Sequence, residues 1–276
     1  MERIINIQLV RYLEDHSLIS DRQYGFRRNR STGDLLAFAL HHWGEAIDRH
    51  GEALAVSLDI AKAFDRVWHR GLLSKLPAYG LPGNLCLWIS NFLHGRRMRV
   101  LVDGHASQLM SVSAGVPQGS VLSPTLFLLH INEMLPLGNI HCYADDSTVH
   151  GRYCSKPPGC RADTESRREE LVIELNRTLE LISTWGTRNL VEFNAKKTQV
   201  CAFSCKKSPF SPLPNFQGIP LAMRNGLNIL GVDIRCDLNP RTHIEGIISA
   251  TSRRVGILNR VRRFFTPGQL FRLYKA

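Results

Sequence analysis

The stretch Cys142-Tyr143-Ala144-Asp145-Asp146-Ser147-Thr148-Val149-His150 sets two adjacent carboxylates between an aromatic–alanine pair and a β-favouring run. Its neighbours imply burial, and burial penalises two like charges held side by side. The arrangement is tolerated when a divalent cation lies against the acids, because the ion's charge outweighs their repulsion. The stretch therefore demands a fold in which the rest of the chain supplies what such a cation would serve.

With 276 residues the chain can hold one large domain or two small ones. A hydrophobic fraction of 43% with 21% charged residues excludes wholesale disorder. The formal charge of +11 favours a polyanionic partner, nucleic acid before an acidic membrane, over an inert basic surface. Seven cysteines, at 86, 142, 154, 160, 201, 205 and 236, form no CxxC pair and lack histidine partners at zinc-finger spacing. They read as reduced intracellular thiols. The first sixteen residues mix charges among apolar side chains and carry no signal-peptide core. Nowhere is an apolar run long enough to span a bilayer, so an intracellular protein with no membrane partner is expected.

Along the chain, Ile4, Ile5, Leu9, Val10 and Leu13 recur at helical spacing, which predicts a helix over the first dozen residues. Residues 21–32 form a basic loop, and a helix is expected from Asp34 to about Ile47. A short apolar strand over 52–60 ends on Asp59. Two helical stretches follow, each stopped by a glycine, Gly80 and Gly95. Residues 96–112 read as a hairpin turning at Asp103-Gly104, and 114–135 as a Gly/Pro loop that becomes a helix. Residues 139–151 read as strand, tight turn and strand with both aspartates at the turn. After a flexible connection over 151–163, Leu171, Leu175, Leu179 and Ile182 mark one face of a long amphipathic helix. Residues 190–204 and 227–234 read as further strands around a proline-punctuated loop at 206–216. A C-terminal helix then carries Arg253, Arg254, Arg260, Arg262 and Arg263. The expected class is α+β, a small antiparallel sheet bearing the acids with helices packed against it.

If the strand ending at Asp59 pairs beside the one at Asp145, their carboxylates can converge. Two Mg²⁺ ions there, roughly 3.5–4 Å apart, suit phosphoryl transfer. Taken alone, Asp59 reads as a helix N-cap for residues 60–69, and Asp146 as a turn residue.

The blocks SLDIAKAFDRVWH (57–69), AGVPQGSVLSPTLF (114–127) and CYADD (142–146), in that order, resemble the reverse transcriptase family of polymerases. The likeness is to enzymes of non-LTR retrotransposons, jockey-like elements in particular. It extends through QYGFRRNRSTGDLL (23–36), WGTRNLVEFNAKKTQV (185–200) and LNILGV (227–232), and so covers about residues 4–275.

The resemblance implies a right-hand polymerase palm, with partial fingers over 1–50, palm over 51–235 and the start of a thumb-like helical region over 236–276. It implies that Asp59, Asp145 and Asp146 bind the metal, joined by the backbone carbonyl of Ile60. Mg²⁺ is the expected ion, two per site, with Mn²⁺ as a substitute. Phe64 falls where the family places an aromatic ring under the incoming sugar, where it excludes a 2′-hydroxyl. Gln118 and Gly119 match a loop at the nascent base pair, and Lys197, beside Lys196, a lysine near the triphosphate. Tyr143, Leu230 and Gly231 match positions at the primer, while Arg27, Arg28 and Arg30 are expected as generic phosphate contacts.

The implied activity is RNA-directed DNA synthesis from deoxynucleoside triphosphates on a DNA primer and RNA template, in the nucleus for the parent element. The chain is expected to be truncated at both ends, beginning too late to contain the family's Arg-Pro-Ile-type fingers segment, and no endonuclease region precedes the polymerase blocks. Two alternatives stay open: an inactive relic that only binds nucleic acid, and a metal-dependent nuclease.

Overall fold

A computed structural model of the chain describes residues 1–155 and 161–275. The helices are α1 (Glu2–Asp15), α2 (Thr32–Asp48), α3 (His69–Lys75), α4 (Gly83–Leu93), α5 (Ser123–Ile131), α6 (Arg161–Asn189), α7 (Arg241–Val261) and α8 (Pro267–Lys275). The strands are β1 (Glu52–Leu58), β2 (Arg97–Met98), β3 (Leu101–Val102), β4 (His105–Ala106), β5 (Met110–Ser111), β6 (Ile140–Tyr143), β7 (Asp146–Tyr153), β8 (Gln199–Phe203), β9 (Asn215–Phe216), β10 (Ile219–Pro220), β11 (Gly226–Ile229) and β12 (Val232–Arg235).

The central sheet runs in the order β6-β7-β1-β8 with every pairing antiparallel. Strand β1 is covered on both faces, which is why its sequence is an almost unbroken apolar run rather than an alternation. Leu54, Val56 and Leu58 enter a core shared with α1, α5 and α6. Ala53 and Ala55 face the other way, in a second core with Trp43 of α2 and Phe203 of β8. Trp43 and Phe203 stack with centroids 4.2 Å apart and planes 11° from parallel, and the two alanines leave room for them. Both α1 and α2, from the region expected as partial fingers, thus pack directly on the sheet's layers.

Local signals account for most element ends. Helix α2 opens on a capping box in which Ser31 and Asp34 bond each other's backbone N–H. Asp103 (φ 48°) and Gly104 (φ 80°) form the turn of the β3–β4 hairpin, and Leu230 (φ 52°) and Gly231 (φ 81°) that of β11–β12. In α6 the predicted face is the one that packs, with Leu171, Leu175, Leu179 and Ile182 all buried. Arg168 reinforces it, donating Nε and Nη2 to the fully buried Glu52 carboxylate at 2.7 and 2.8 Å. Burial alone would raise the Glu52 pKa, but bonds from Arg168, Ser204 and Tyr153 outweigh it and hold the carboxyl below its ordinary range.

Three expectations are corrected. Residues 190–198 are turn and irregular chain rather than strand, meeting the segment just past β1 through one isolated bridge between Ile60 and Phe193. Residues 151–153 complete β7 and 161–163 open α6, so both ends of the expected connection belong to regular elements. Its middle, 156–160 with Cys160, lies outside the described residues. The proline-punctuated segment expected as a loop over 206–216 ends in a strand, β9, which forms a hairpin with β10 through a turn at Gln217-Gly218. Helices α7 and α8 bury no residue. Among the described residues no helix is long and apolar enough to cross a membrane.

His130 and His150 are almost fully buried, and burial pushes the pKa of each down to about 3. Both are neutral in the folded chain, whereas the unfolded chain takes up protons below pH about 6.5. Their contribution is therefore intact above that pH and lost as pH falls toward 3, on the order of 2 kcal/mol each at pH 5. Urea unfolding at pH 7 and pH 5 should show a markedly less stable protein at the lower pH. Equal stabilities would mean that these imidazoles are already hydrated in the native state.

Candidate active site

The acids meet because of register. Strands β1 and β7 pair from Glu52↔Tyr153 to Leu58↔Ser147, so one further step sets Asp59 level with Asp146. On the other side, β1 and β8 pair as far as Ser57↔Gln199, and the turn at 195–197 just before β8 brings Lys197 to the cleft that Asp59 lines. Strands β6 and β7 close at Tyr143↔Asp146 and leave Ala144-Asp145 as a two-residue turn. Ala144 holds φ 57°, in the left-handed region that a non-glycine residue rarely enters.

Residues 61–66 are turns, and the next helix begins only at His69, so Asp59 caps nothing. Its position is instead fixed from behind, where Asn194 N donates to Asp59 O and Ala61 N to Glu192 O, each at 2.9 Å. These bonds flank the Ile60–Phe193 bridge and leave the Ile60 carbonyl outside that ladder, as a metal-facing carbonyl requires.

Asp146 reaches solvent, yet its carboxyl pKa is raised, first by partial burial, then by the charges of Asp145 and Asp59. Asp146 thus feels the charges of both other acids. The donor set, carboxylate and carbonyl oxygen, suits a hard divalent ion. Among the described residues, however, no three His, Cys, Asp or Glu side chains are gathered closely enough to hold an ion by themselves. Such an ion would need waters or substrate oxygens to complete its shell, as Mg²⁺ commonly does. Beside the acids opens a cleft of about 400 Å³ lined by Asp59, Asp146, Lys196, Lys197, Arg224 and Asn228. Cations thus face anions across one cavity, and both lysines reach it.

The remaining expected residues fall in different surroundings. Phe64 is half-buried, stacked on Phe127 with centroids 4.4 Å apart and met edge-on by the exposed Phe26. Gln118 is exposed and donates Nε2 to Asp65 Oδ1 at 2.9 Å, while Gly119 holds φ 87°. Tyr143 sits half-buried where the β6–β7 hairpin closes. Leu230 and Gly231 form the tip of the β11–β12 hairpin, and Leu230 packs against the second core.

The three arginines separate, and the expectation for Arg27 is corrected. Its side chain is only 6% exposed, its Nε donates to Glu14 at 2.8 Å, and Nη1 donates to the carbonyls of Ser20 and Gln23. Arg30 is held by the carboxylate and carbonyl of Asp21. Arg28 is exposed. Sequence reasoning missed Arg224, which lines the acid cleft from the loop before β11. Its place there depends on Arg224 N bonding Val200 O, a contact that no local motif announces.

A sheet with acids at its central strand ends, opposite a basic rim, is the frame of a polynucleotide polymerase palm. Residues 1–234 match the family described as "Reverse transcriptase (RNA-dependent DNA polymerase)", and the chain belongs to it. It is 30% identical over 265 residues to the RNA-directed DNA polymerase from mobile element jockey of Drosophila melanogaster, covering 92% of this chain and 27% of that protein. It is 29% identical over 254 residues to the probable RNA-directed DNA polymerase from transposon X-element of the same organism, covering 89% and 26%. The chain thus spans about a quarter of the length of these relatives. Among solved structures, a Candida tropicalis telomerase in complex with a fragment of telomeric RNA superposes with a TM-score of 0.52 at 13% identity. The superposition covers 86% of this chain and 36% of that one, and it supports the fold alone.

Arg27 and Arg28 should therefore respond oppositely to removal. Arg27→Ala leaves Glu14 without its partner and should cost roughly 1–3 kcal/mol of stability with little change in the salt dependence of nucleic-acid binding. Arg28→Ala should leave stability intact and reduce the slope of log K against log salt by about 1. Denaturant unfolding and salt titration of binding check both, and a reversed pattern would place Arg27 on the nucleic acid.

Proposed function

We propose that this chain carries the nucleotidyl-transfer centre of an RNA-directed DNA polymerase of a non-LTR mobile element. Its substrates on this reading are deoxynucleoside triphosphates, a DNA primer and an RNA template. The observation that carries the reading is the β1–β7 register, which sets Asp59 level with Asp146 and beside Asp145, within the region matched by the family. Asp59, Asp145, Asp146 and the Ile60 carbonyl are the oxygens that hold metal. Two Mg²⁺ ions, or Mn²⁺ in their place, supply Lewis-acid activation of the primer 3′-hydroxyl and offset charge on the leaving oxygen.

The chain's own side chains do the rest by position and charge. Lys197, with Lys196 and Arg224 on the same cleft, meets the triphosphate and the charge that gathers on pyrophosphate. Phe64, braced by Phe127, forms a floor under the sugar. The Gln118-Gly119 loop faces the nascent base pair, Gly119 allowing close backbone approach in its left-handed conformation. Tyr143 and the Leu230-Gly231 turn lie toward the primer end, and Arg28 contacts phosphate. For the parent element, primer and template meet in the nucleus.

Primer extension on an RNA template, with and without Mg²⁺, is the deciding experiment. Asp59→Ala or Asp145→Ala should nearly abolish extension while duplex affinity stays close to that of the parent chain. Binding without any extension by the parent chain would make it a nucleic-acid-binding relic, and metal-dependent cleavage would make it a nuclease.

Sugar choice gives a separate check. Phe64→Ala should admit ribonucleotides by removing the ring that a 2′-hydroxyl would overlap. The measurement is the ratio of ribo- to deoxynucleotide incorporation, and an unchanged ratio in a folded variant would remove Phe64 from that role.

A further inference from the structure

The turn that carries Asp145 is not one that its own residues favour. Glycine takes a positive φ without steric cost, and here Ala144 takes it at φ 57°, a conformation that costs about 1 kcal/mol or more for an L residue. The turn must therefore be held from outside.

The holder is Gln23, 121 positions earlier in the chain. Its side chain is 1% exposed, and its Oε1 accepts from Ala144 N and from Gly25 N, both at 2.9 Å. Its Nε2 donates to Ala144 O at 3.3 Å. One amide thus grips both polar groups of the strained residue. The segment around it is bonded to β6, with Cys142 N donating to Arg22 O and Tyr24 N to Cys142 O, each at 2.8 Å. Behind, Asn132 accepts from Ser20 N and donates to Leu18 O, and Arg22 donates to the carbonyls of Leu135 and Gly138. The grip also needs close approach: a Cβ on Gly25 would lie 2.3 Å from Ala144 N.

We infer that Gln23 is a positioning residue for the metal-binding acids, fixing the Ala144 turn so that Asp145 and Asp146 face the Asp59 cleft. This rests on the reading of those acids as metal ligands. A satisfied, buried amide bridging two loops could serve stability alone, but stability does not require that two of its three bonds converge on the strained residue between Tyr143 and Asp145. Losing Gln23 removes both restraints on Ala144 and lets the turn relax.

The test uses the full chain and three variants, with Mn²⁺ as the probe. Gln23→Met keeps the shape and loses every bond, Gln23→Glu keeps the acceptor oxygen, and Gly25→Ala displaces the turn by overlap. Free Mn²⁺ measured by electron paramagnetic resonance reports binding, hydrogen exchange reports the Ala144 and Gly25 amides, and circular dichroism reports folding. Gln23→Met is expected to fold, to lose protection at both amides, and to weaken Mn²⁺ binding and slow extension about tenfold or more. Gln23→Glu should recover amide protection and part of the metal binding, and Gly25→Ala should resemble Gln23→Met. A folded Gln23→Met that binds Mn²⁺ and extends primers like the parent chain would overturn the inference. Failure of all three variants to fold would also overturn it, by making the contact a requirement of folding rather than of position. Asp145→Ala is measured alongside: if it binds Mn²⁺ normally, the reading of the acids fails instead, and the two failures are distinct.

Discussion

The antiparallel pairing of β1 with β7 is the constraint on which the rest of the molecule depends. Because side chains alternate across a strand, a slip of one residue would move Leu54, Val56 and Leu58 to the face where Ala53 and Ala55 now make room for Trp43. Three large side chains would then overlap the indole, and the opposite core would lose its filling. The apolar content of the two faces thus selects one register. That register alone puts Asp59 level with Asp146. The chemistry is aligned by residues that never touch it.

The two ends of β1 show how one residue type is put to different uses. At the start, Glu52 is fully buried and matched by Arg168, and its pKa is lowered. Just beyond the other end, Asp59 adds to the field that raises the pKa of Asp146. A carboxylate with its cation supplied by the chain holds α6 against the sheet. The acids past the other end form no ion pair of this kind and stand on a cleft whose cations, Lys196, Lys197 and Arg224, line its other side. Buried charge pairs often contribute little net stability, so the Glu52–Arg168 contact is better read as fixing where α6 docks.

Much of this was legible in the sequence where structure is local. The hairpins at Asp103-Gly104 and Leu230-Gly231 follow from residues that tolerate positive φ, and the face of α6 follows from its apolar spacing. The acids were legible because two like charges beside apolar neighbours need a reason. What stayed hidden depends on long-range contact. Arg27 and Arg28 are adjacent identical residues, and only the position of Glu14 on α1 decides which one is drawn inward. The run at 190–198 has strand-like composition, but its pairing stops at one antiparallel bridge, Ile60–Phe193, before the chain turns at 195–197. Gln23 lies within a basic loop, and its partners Ala144 N and Ala144 O are 121 positions away, so no local pattern marks it.

Ala53 and Ala55 carry a consequence for how such a sequence can change over generations. They sit on the face of β1 shared with Trp43, Phe203 and the β11–β12 hairpin through Leu227, Ile229 and Ile234. Any side chain larger than alanine there would crowd the stacked Trp43 and Phe203 rings, which belong to the same core as the hairpin. Two methyl groups with no chemistry of their own therefore set the spacing between β1 and the layer packed on it. Drift on the exposed surfaces of α7 and α8 leaves that spacing untouched, whereas a single added methylene in the middle of β1 does not.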